Sequence, residues 1–192
     1  MTIDNRLIVA FWLIFIVYWA AMAVGAKKNI GARFWSREIG LRVGAIVLVL
    51  LALRLPVFRQ VLRNALAYAP SASALMGAVG VVLCALGIGL AIWARAYLGR
   101  NWGMPMSRKE NPELVTTGPY AYVRHPIYTG LIGATIATAT ASATATAVVG
   151  AMLIVFGMWL KARTEERFLT EELGPEAYAA YQRRVPMLVP FV

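Results

Sequence analysis

The chain has a single cysteine, Cys84, a single histidine, His125, and a single aspartate, Asp4. A lone cysteine excludes an internal disulfide and any cysteine-based metal cluster. Its place inside an apolar block makes it a small packing residue. Charge is also scarce: 15% of the residues are charged, where soluble domains carry about 25%. Acid is scarcer than base, with nine Asp and Glu against nineteen Lys and Arg, a net charge of +10. In a soluble chain that excess would point to nucleic acid. Here the cations stand between apolar blocks, where they orient helices and meet anionic headgroups, so no nucleic-acid partner is expected. Several chemical signatures are missing altogether. There is no GxGxxG after a strand, no P-loop, no HExxH and no Ser/His/Asp arrangement, and no metal site is expected.

What the chain has instead is apolar length. Apolar residues make up 60% of it, collected in blocks long enough for a bilayer core that needs roughly 20 residues of helix. The first block is Leu7–Ala26, longer than the ~7–15 residues of a signal-peptide core and followed by Lys27 and Lys28. It reads as a retained first span. The second runs from about Ile39 to Leu55 and the third from about Leu75 to Tyr97. From Ile127 to Leu160 there is no charge for 34 residues. One helix of that length would reach about 51 Å, against a hydrocarbon core of about 30 Å. Two helices in a hairpin fit better, and the small-residue middle, Ala137 to Thr146, lets helices approach closely. The Ala/Thr alternation there could also be a strand, but an open strand in lipid leaves backbone groups unsatisfied. No Gly or Pro marks the turn.

Five spans put three regions on one side, Lys27 to Arg42, Arg95 to Arg124 and Lys161 to Arg184, holding fifteen of the nineteen cations. By the positive-inside rule that side is cytoplasmic, with the N-terminus outside. The expected fold is therefore all-α: a polytopic membrane protein of five transmembrane helices, the last two a hairpin, with short cytoplasmic C-terminal helices. Residues 1–192 form one membrane domain. Residues 1–74 hold the first two helices, and 75–192 the portion that carries chemistry.

Two polar segments then share the cytoplasmic face, Leu114 to Gly130 and Arg163 to Pro186. Gly118-Pro119 is a turn signal, and Pro126 restricts His125 to an extended or turn geometry at the start of the fourth span. Arg124, His125 and the tyrosines at 120, 122 and 128 also suit a plain interfacial anchor. Glu165 and Glu166 stand where the fifth span leaves the membrane. Two adjacent carboxylates there are expensive without a positive partner, which Arg163, Arg167, Arg124 or a bound cation would supply. Gly174-Pro175 stops that helix, and Pro175 can start another. By itself, Gly87-Ile-Gly89 means close helix packing.

In order along the chain stand Leu98-Gly99-Arg-Asn-Trp102, Leu114-Val-Thr-Thr-Gly-Pro-Tyr120 and Arg124-His-Pro-Ile-Tyr128 with Gly130. Glu165-Glu166 and Gly174-Pro-Glu-Ala-Tyr178-Ala-Ala-Tyr181 with Arg184-Val-Pro follow. Over about residues 87–192 this resembles the isoprenylcysteine carboxyl methyltransferase family and its relatives, the phospholipid N-methyltransferases. The resemblance implies S-adenosylmethionine as methyl donor, bound on the cytoplasmic face without a Rossmann domain. It implies cofactor contacts at Pro112, Glu113, Leu114, Val115, Tyr120, His125, Pro126, Ile127, Tyr128, Glu165 and Glu166, with Gly87 and Gly89 matching a GxG cofactor segment of the phospholipid enzymes. A sulfonium suits carboxylates and aromatic faces.

The expected acceptor is lipophilic and enters from the bilayer, a carboxylate first, a phospholipid amine or thiol next. A carboxylate needs cations to hold it, and Arg124, Arg163, Lys161 and Arg184 are the candidates. The prenylcysteine enzymes carry an arginine where this chain has Ala91, so the half that reads a carboxylate departs from the family. An NADPH-dependent, sterol-reductase-like enzyme and a non-catalytic membrane protein are the alternatives from other classes.

Overall fold

The computed structural model describes residues 3–23, 29–30, 55–56, 60, 73–99, 108–109 and 114–190. Within them the chain is helical: Ile3–Ala23 (α1), Ala74–Leu98 (α2), Pro126–Ser142 (α3), Ala145–Leu173 (α4) and Pro175–Arg184 (α5), with a short 3-10 helix at Gly118–Ala121. The expected second span lies almost wholly outside the described residues. One feature departs from an all-helical chain: Asn29–Ile30 (β1) pairs antiparallel with Arg108–Lys109 (β2). Two residues carry no periodicity, so nothing in the sequence could announce them.

Among the described residues, three helices are long and apolar enough to cross a membrane: α1, α2 and α4 through Glu171. With 17 residues α3 stands at the short end of the ~17–25 that span a bilayer. Local chemistry sets the helix ends. Ser73 caps α2 by accepting from the Met76 N–H at 3.2 Å, and α2 stops at Gly99, whose φ of 53° suits a residue without Cβ. The uncharged block divides at Ala143 and Thr144. Ala143 takes the left-handed φ of 50° and returns its N–H to Ala139 and Thr140 carbonyls, and Thr144 caps α4 through the Ala147 N–H. The turn thus uses neither Gly nor Pro. Three hydroxyls toward the end of α3 are satisfied within the helix: Thr138, Thr140 and Ser142 each donate to the carbonyl four residues back. A hydroxyl-rich helix can therefore sit in apolar surroundings.

The core is a seam between α2 and α3 made from small residues. Gly80, Cys84, Gly87 and Ala91 of α2 repeat at the same spacing as Gly130, Ala134, Ala137 and Ala141 of α3. A Cβ on Gly87 would stand 2.5 Å from the Gly130 carbonyl oxygen, and one on Gly130 2.8 Å from the Ala91 nitrogen. Backbones can pack this closely only where side chains are absent, as in membrane helix pairs. Cys84 is completely buried in this seam. From α1, Ile8 joins the same core, and Trp12 donates its indole N–H to Thr138 Oγ1 at 3.1 Å.

Gly130→Ala forces the two helices apart and should lower stability by about 1–3 kcal/mol, measured as a lower melting temperature in detergent. Ala143→Gly relieves a left-handed alanine and should raise it, by about 1 kcal/mol. A Gly130→Ala protein melting like wild type would contradict the close seam.

Candidate functional site

Pro126 starts α3 and is buried, and the two residues before it, Arg124 and His125, stand outside the helix at its entrance, His125 with φ −124° and ψ 63°. Their backbone N–H groups donate to the C-terminal segment, Arg124 to Pro186 O at 2.8 Å and His125 to Met187 O at 3.1 Å. Thr129 Oγ1 adds a bond to Leu188 O at 2.7 Å. The Arg124 guanidinium gathers the remaining elements. Its Nε donates to Glu166 Oε1 at 2.6 Å, and its Nη1 donates to the Gln182 and Val185 carbonyls. Helix α4, helix α5 and the C-terminal segment thus converge on one cation.

Glu166 is equally committed. Oε1 also meets His125 Nε2 at 3.3 Å, and Oε2 accepts from Gln182 Nε2 at 3.1 Å. The Arg124 and Glu166 side chains are only 11% and 12% exposed. At that depth a carboxylate needs its partners, and a charged hydrogen bond contributes about 1.5–3 kcal/mol.

Glu165 is the next residue along α4, about 100° further round the helix, and it faces elsewhere. Its Oε2 accepts from the Tyr128 hydroxyl at 2.7 Å, its one hydrogen bond among the described residues. The Tyr128 ring stacks on His125 with centroids 5.5 Å apart and planes 18° from parallel. Lys161 Nζ stands 5.5 Å from the Tyr128 ring centroid. A carboxylate, two stacked rings and an ammonium therefore meet beside the Arg124–Glu166 pair.

A layer of tyrosines supports the cluster. The Tyr120 hydroxyl donates to Ala94 O, and its own carbonyl accepts from the Tyr181 hydroxyl at 2.6 Å. Tyr178 and Tyr181 pack with Val185, Leu114, Leu169 and Leu173. Burial is the main force on these phenols. It pushes Tyr181 up to about 12, against the opposing charge of Arg124, and raises Tyr120 and Tyr178 as well. They stay neutral O–H donors at physiological pH.

Of the residues expected at a site, Arg124, His125, Tyr128, Glu165, Glu166 and Lys161 come together. Tyr120 and Leu114 lie in the supporting layer, Pro126 and Ile127 begin α3, and Val115 is half-buried next to Leu114. Pro112 and Glu113 lie outside the described residues. Three groups stand away from the cluster. Gly87 is used in the seam with α3, and Gly89 faces open space. Arg163 is exposed and lies over the Trp159 ring, 4.8 Å from its centroid. Arg184 is exposed and donates to Ala180 O of its own helix. Gln182 joins the cluster through Glu166 without a motif to mark it. Its only sequence signal is the spacing Tyr178, Tyr181, Gln182, Val185, one face of a helix.

Apolar helices around a close-packed seam, with a polar cluster where they end, define an integral membrane protein. The phospholipid methyltransferase family model matches residues 75–176, more than half of the sequence, and the chain belongs to that family. Among its relatives is the cobalt-zinc-cadmium resistance protein CzcN of Cupriavidus metallidurans, 37% identical over 109 residues, 55% of this chain and 49% of that protein. The protein-S-isoprenylcysteine O-methyltransferase of Xenopus laevis is 26% identical over 61% of this chain and 41% of its own length. A methanethiol S-methyltransferase of a Pseudomonas species is 39% identical over 42% of this chain and 30% of its own. The chain thus spans half or less of these three relatives. The solved structure of the eukaryotic intramembrane Ras methyltransferase, isoprenylcysteine carboxyl methyltransferase, shares the fold with a TM-score of 0.54 at 22% identity, covering 72% of this chain and 54% of that one.

Glu166→Gln leaves the Arg124 guanidinium without its carboxylate, and breaking such a buried pair costs about 3–5 kcal/mol. Hydrogen exchange should accelerate first in α5 and residues 185–188, with the α2–α3 seam still protected. Unchanged exchange in that segment would show that the pair does not hold it.

Proposed function

We propose that this chain is an S-adenosylmethionine-dependent methyltransferase of the membrane that acts on a lipophilic acceptor, a carboxylate in the first place. The observation that carries the proposal is the division between the two glutamates. Glu166 is filled by Arg124, His125 and Gln182, whereas Glu165 gives one oxygen to Tyr128 and keeps the other for a ligand. A carboxylate beside stacked His125 and Tyr128 rings fits the donor's ribose hydroxyls, adenine and sulfonium charge. Family membership supports the same reading.

When bound, S-adenosylmethionine supplies an electrophilic methyl group. The chain's own task is then to orient, which can be worth roughly 7–11 kcal/mol of a barrier. Glu165, Tyr128 and His125 would hold the donor, with Leu114, Val115 and Ile127 lining the approach. Lys161, beside Tyr128, is the cation left to hold an acceptor carboxylate. Arg124, engaged by Glu166 and two carbonyls, is a positioning residue. The likeness to a methanethiol S-methyltransferase favours a thiol as the second reading, in which the acceptor must lose a proton.

The same proposal includes the five-span topology. The start of α1 lies outside, the α3–α4 hairpin turns on that same outer face, and the cluster and α5 are cytoplasmic. Residues 75–192 form the catalytic portion and 1–74 the first two spans. The charge asymmetry supports this orientation.

Three measurements test these points. Titration with S-adenosylhomocysteine in detergent should show binding, and Glu165→Gln should weaken it roughly ten- to a hundredfold with the melting temperature unchanged. Binding of NADPH in its place would move the chain to another class. His125→Asn should weaken donor binding and keep turnover at saturating donor within about tenfold. A fall of about 10²–10⁴-fold would make His125 a base and the acceptor a thiol or amine. Cysteines placed at Thr140 and Arg183 in a Cys84→Ala background should label from opposite faces, and labelling from one face would end the five-span topology.

A further inference from the structure

An apolar groove of about 550 Å³ opens between α3, α4 and the C-terminal segment, with Ile132, Gly133, Met152, Phe156, Trp159 and Val189 on its walls. That volume lies within the ~300–1,000 Å³ of ordinary ligand pockets. The α4 side of the groove is a helical stripe, Met152, Phe156 and Trp159, and Arg163 continues it one turn beyond Trp159. Arg167, also exposed, extends the line by another turn. The groove therefore has an apolar body, an indole at its end and guanidinium groups past the indole. Trp and Arg in that order mark the level of lipid headgroups.

The stripe is separate from the site described above. Arg163 precedes Glu165 by two residues, about 200° around the helix. Arg163 stands over Trp159, whereas Lys161 and Glu165 meet Tyr128 on the other side of α4. The groove therefore opens away from the carboxylate assigned to the methyl donor.

The geometry points to a resident lipid site: one anionic phospholipid lays an acyl chain in this groove and sets its phosphate against Arg163. Charge complementarity selects this occupant. A zwitterionic lipid would bring its own ammonium to the same two guanidinium groups, whereas a phosphate with no cation of its own pairs with the planar fork. The inference rests on the membrane embedding of the chain and is independent of methyl transfer.

The full chain, purified into micelles carrying equal phosphatidylglycerol and phosphatidylcholine, should retain one phosphatidylglycerol in native mass spectrometry. Gly133→Leu fills the groove, because a Cβ at Gly133 meets open space within 4 Å. It should remove that lipid while S-adenosylhomocysteine binding stays at the wild-type level. Arg163→Gln should keep one lipid but reduce the preference for phosphatidylglycerol about tenfold. Equal retention of both lipids by wild type, or a lipid still held in Gly133→Leu, would overturn the proposal. So would methylation of the retained lipid when S-adenosylmethionine is added, because the groove would then be the acceptor site.

Discussion

Arg124 and Glu166 reach each other across 42 positions of sequence at 2.6 Å, and each is nearly buried. Neither charge is tolerable there alone, so the chain must bring the entrance of α3 and the end of α4 together whenever it folds. The remaining guanidinium bonds then fix the end of α5 and the residue after it, and backbone pairing carries the chain on past α3. Through one ion pair, four separate pieces of chain acquire a common position. His125 and Gln182 complete the carboxylate, which leaves the neighbouring Glu165 to Tyr128.

That arrangement depends on the seam beneath it. The position of α3 is set by Gly130 against Gly87, where the backbones themselves touch. A larger side chain at either glycine would shift the helix whose first residues carry Arg124, His125 and Tyr128. Packing among small residues in the apolar part therefore positions the polar groups at its end. Gly87 supports the polar cluster by this route, one helix away.

Much of the architecture could be read from length and charge. The uncharged block was too long for one helix, and it divides at Ala143 and Thr144. The third apolar block, read as about Leu75 to Tyr97, is α2 at Ala74–Leu98. The turn itself was illegible, because a left-handed alanine has no composition signal and Thr144 looks like its Thr neighbours. The clustered residues were legible as a set but not as partners. Adjacent glutamates look alike in sequence, and only the 100° step of a helix separates a saturated carboxylate from one that Tyr128 holds. The same geometry turns Arg163 toward Trp159 and away from Tyr128, a direction that a run of polar residues does not reveal. Gln182 has no sequence mark, because a glutamine on a short polar helix is ordinary until Glu166 is placed opposite it.

The central claim is that Glu165, Tyr128, His125 and Lys161 hold a methyl donor against a lipophilic carboxylate. Its most direct test is transfer of a radiolabelled methyl group from S-adenosylmethionine by the purified chain in vesicles made from a native membrane lipid extract. The account predicts label in the organic phase that is released as volatile methanol by base, the mark of a methyl ester, and its loss in Glu165→Gln. Label that resists base would contradict the carboxylate, and no transfer with any lipid fraction would contradict the methyltransferase.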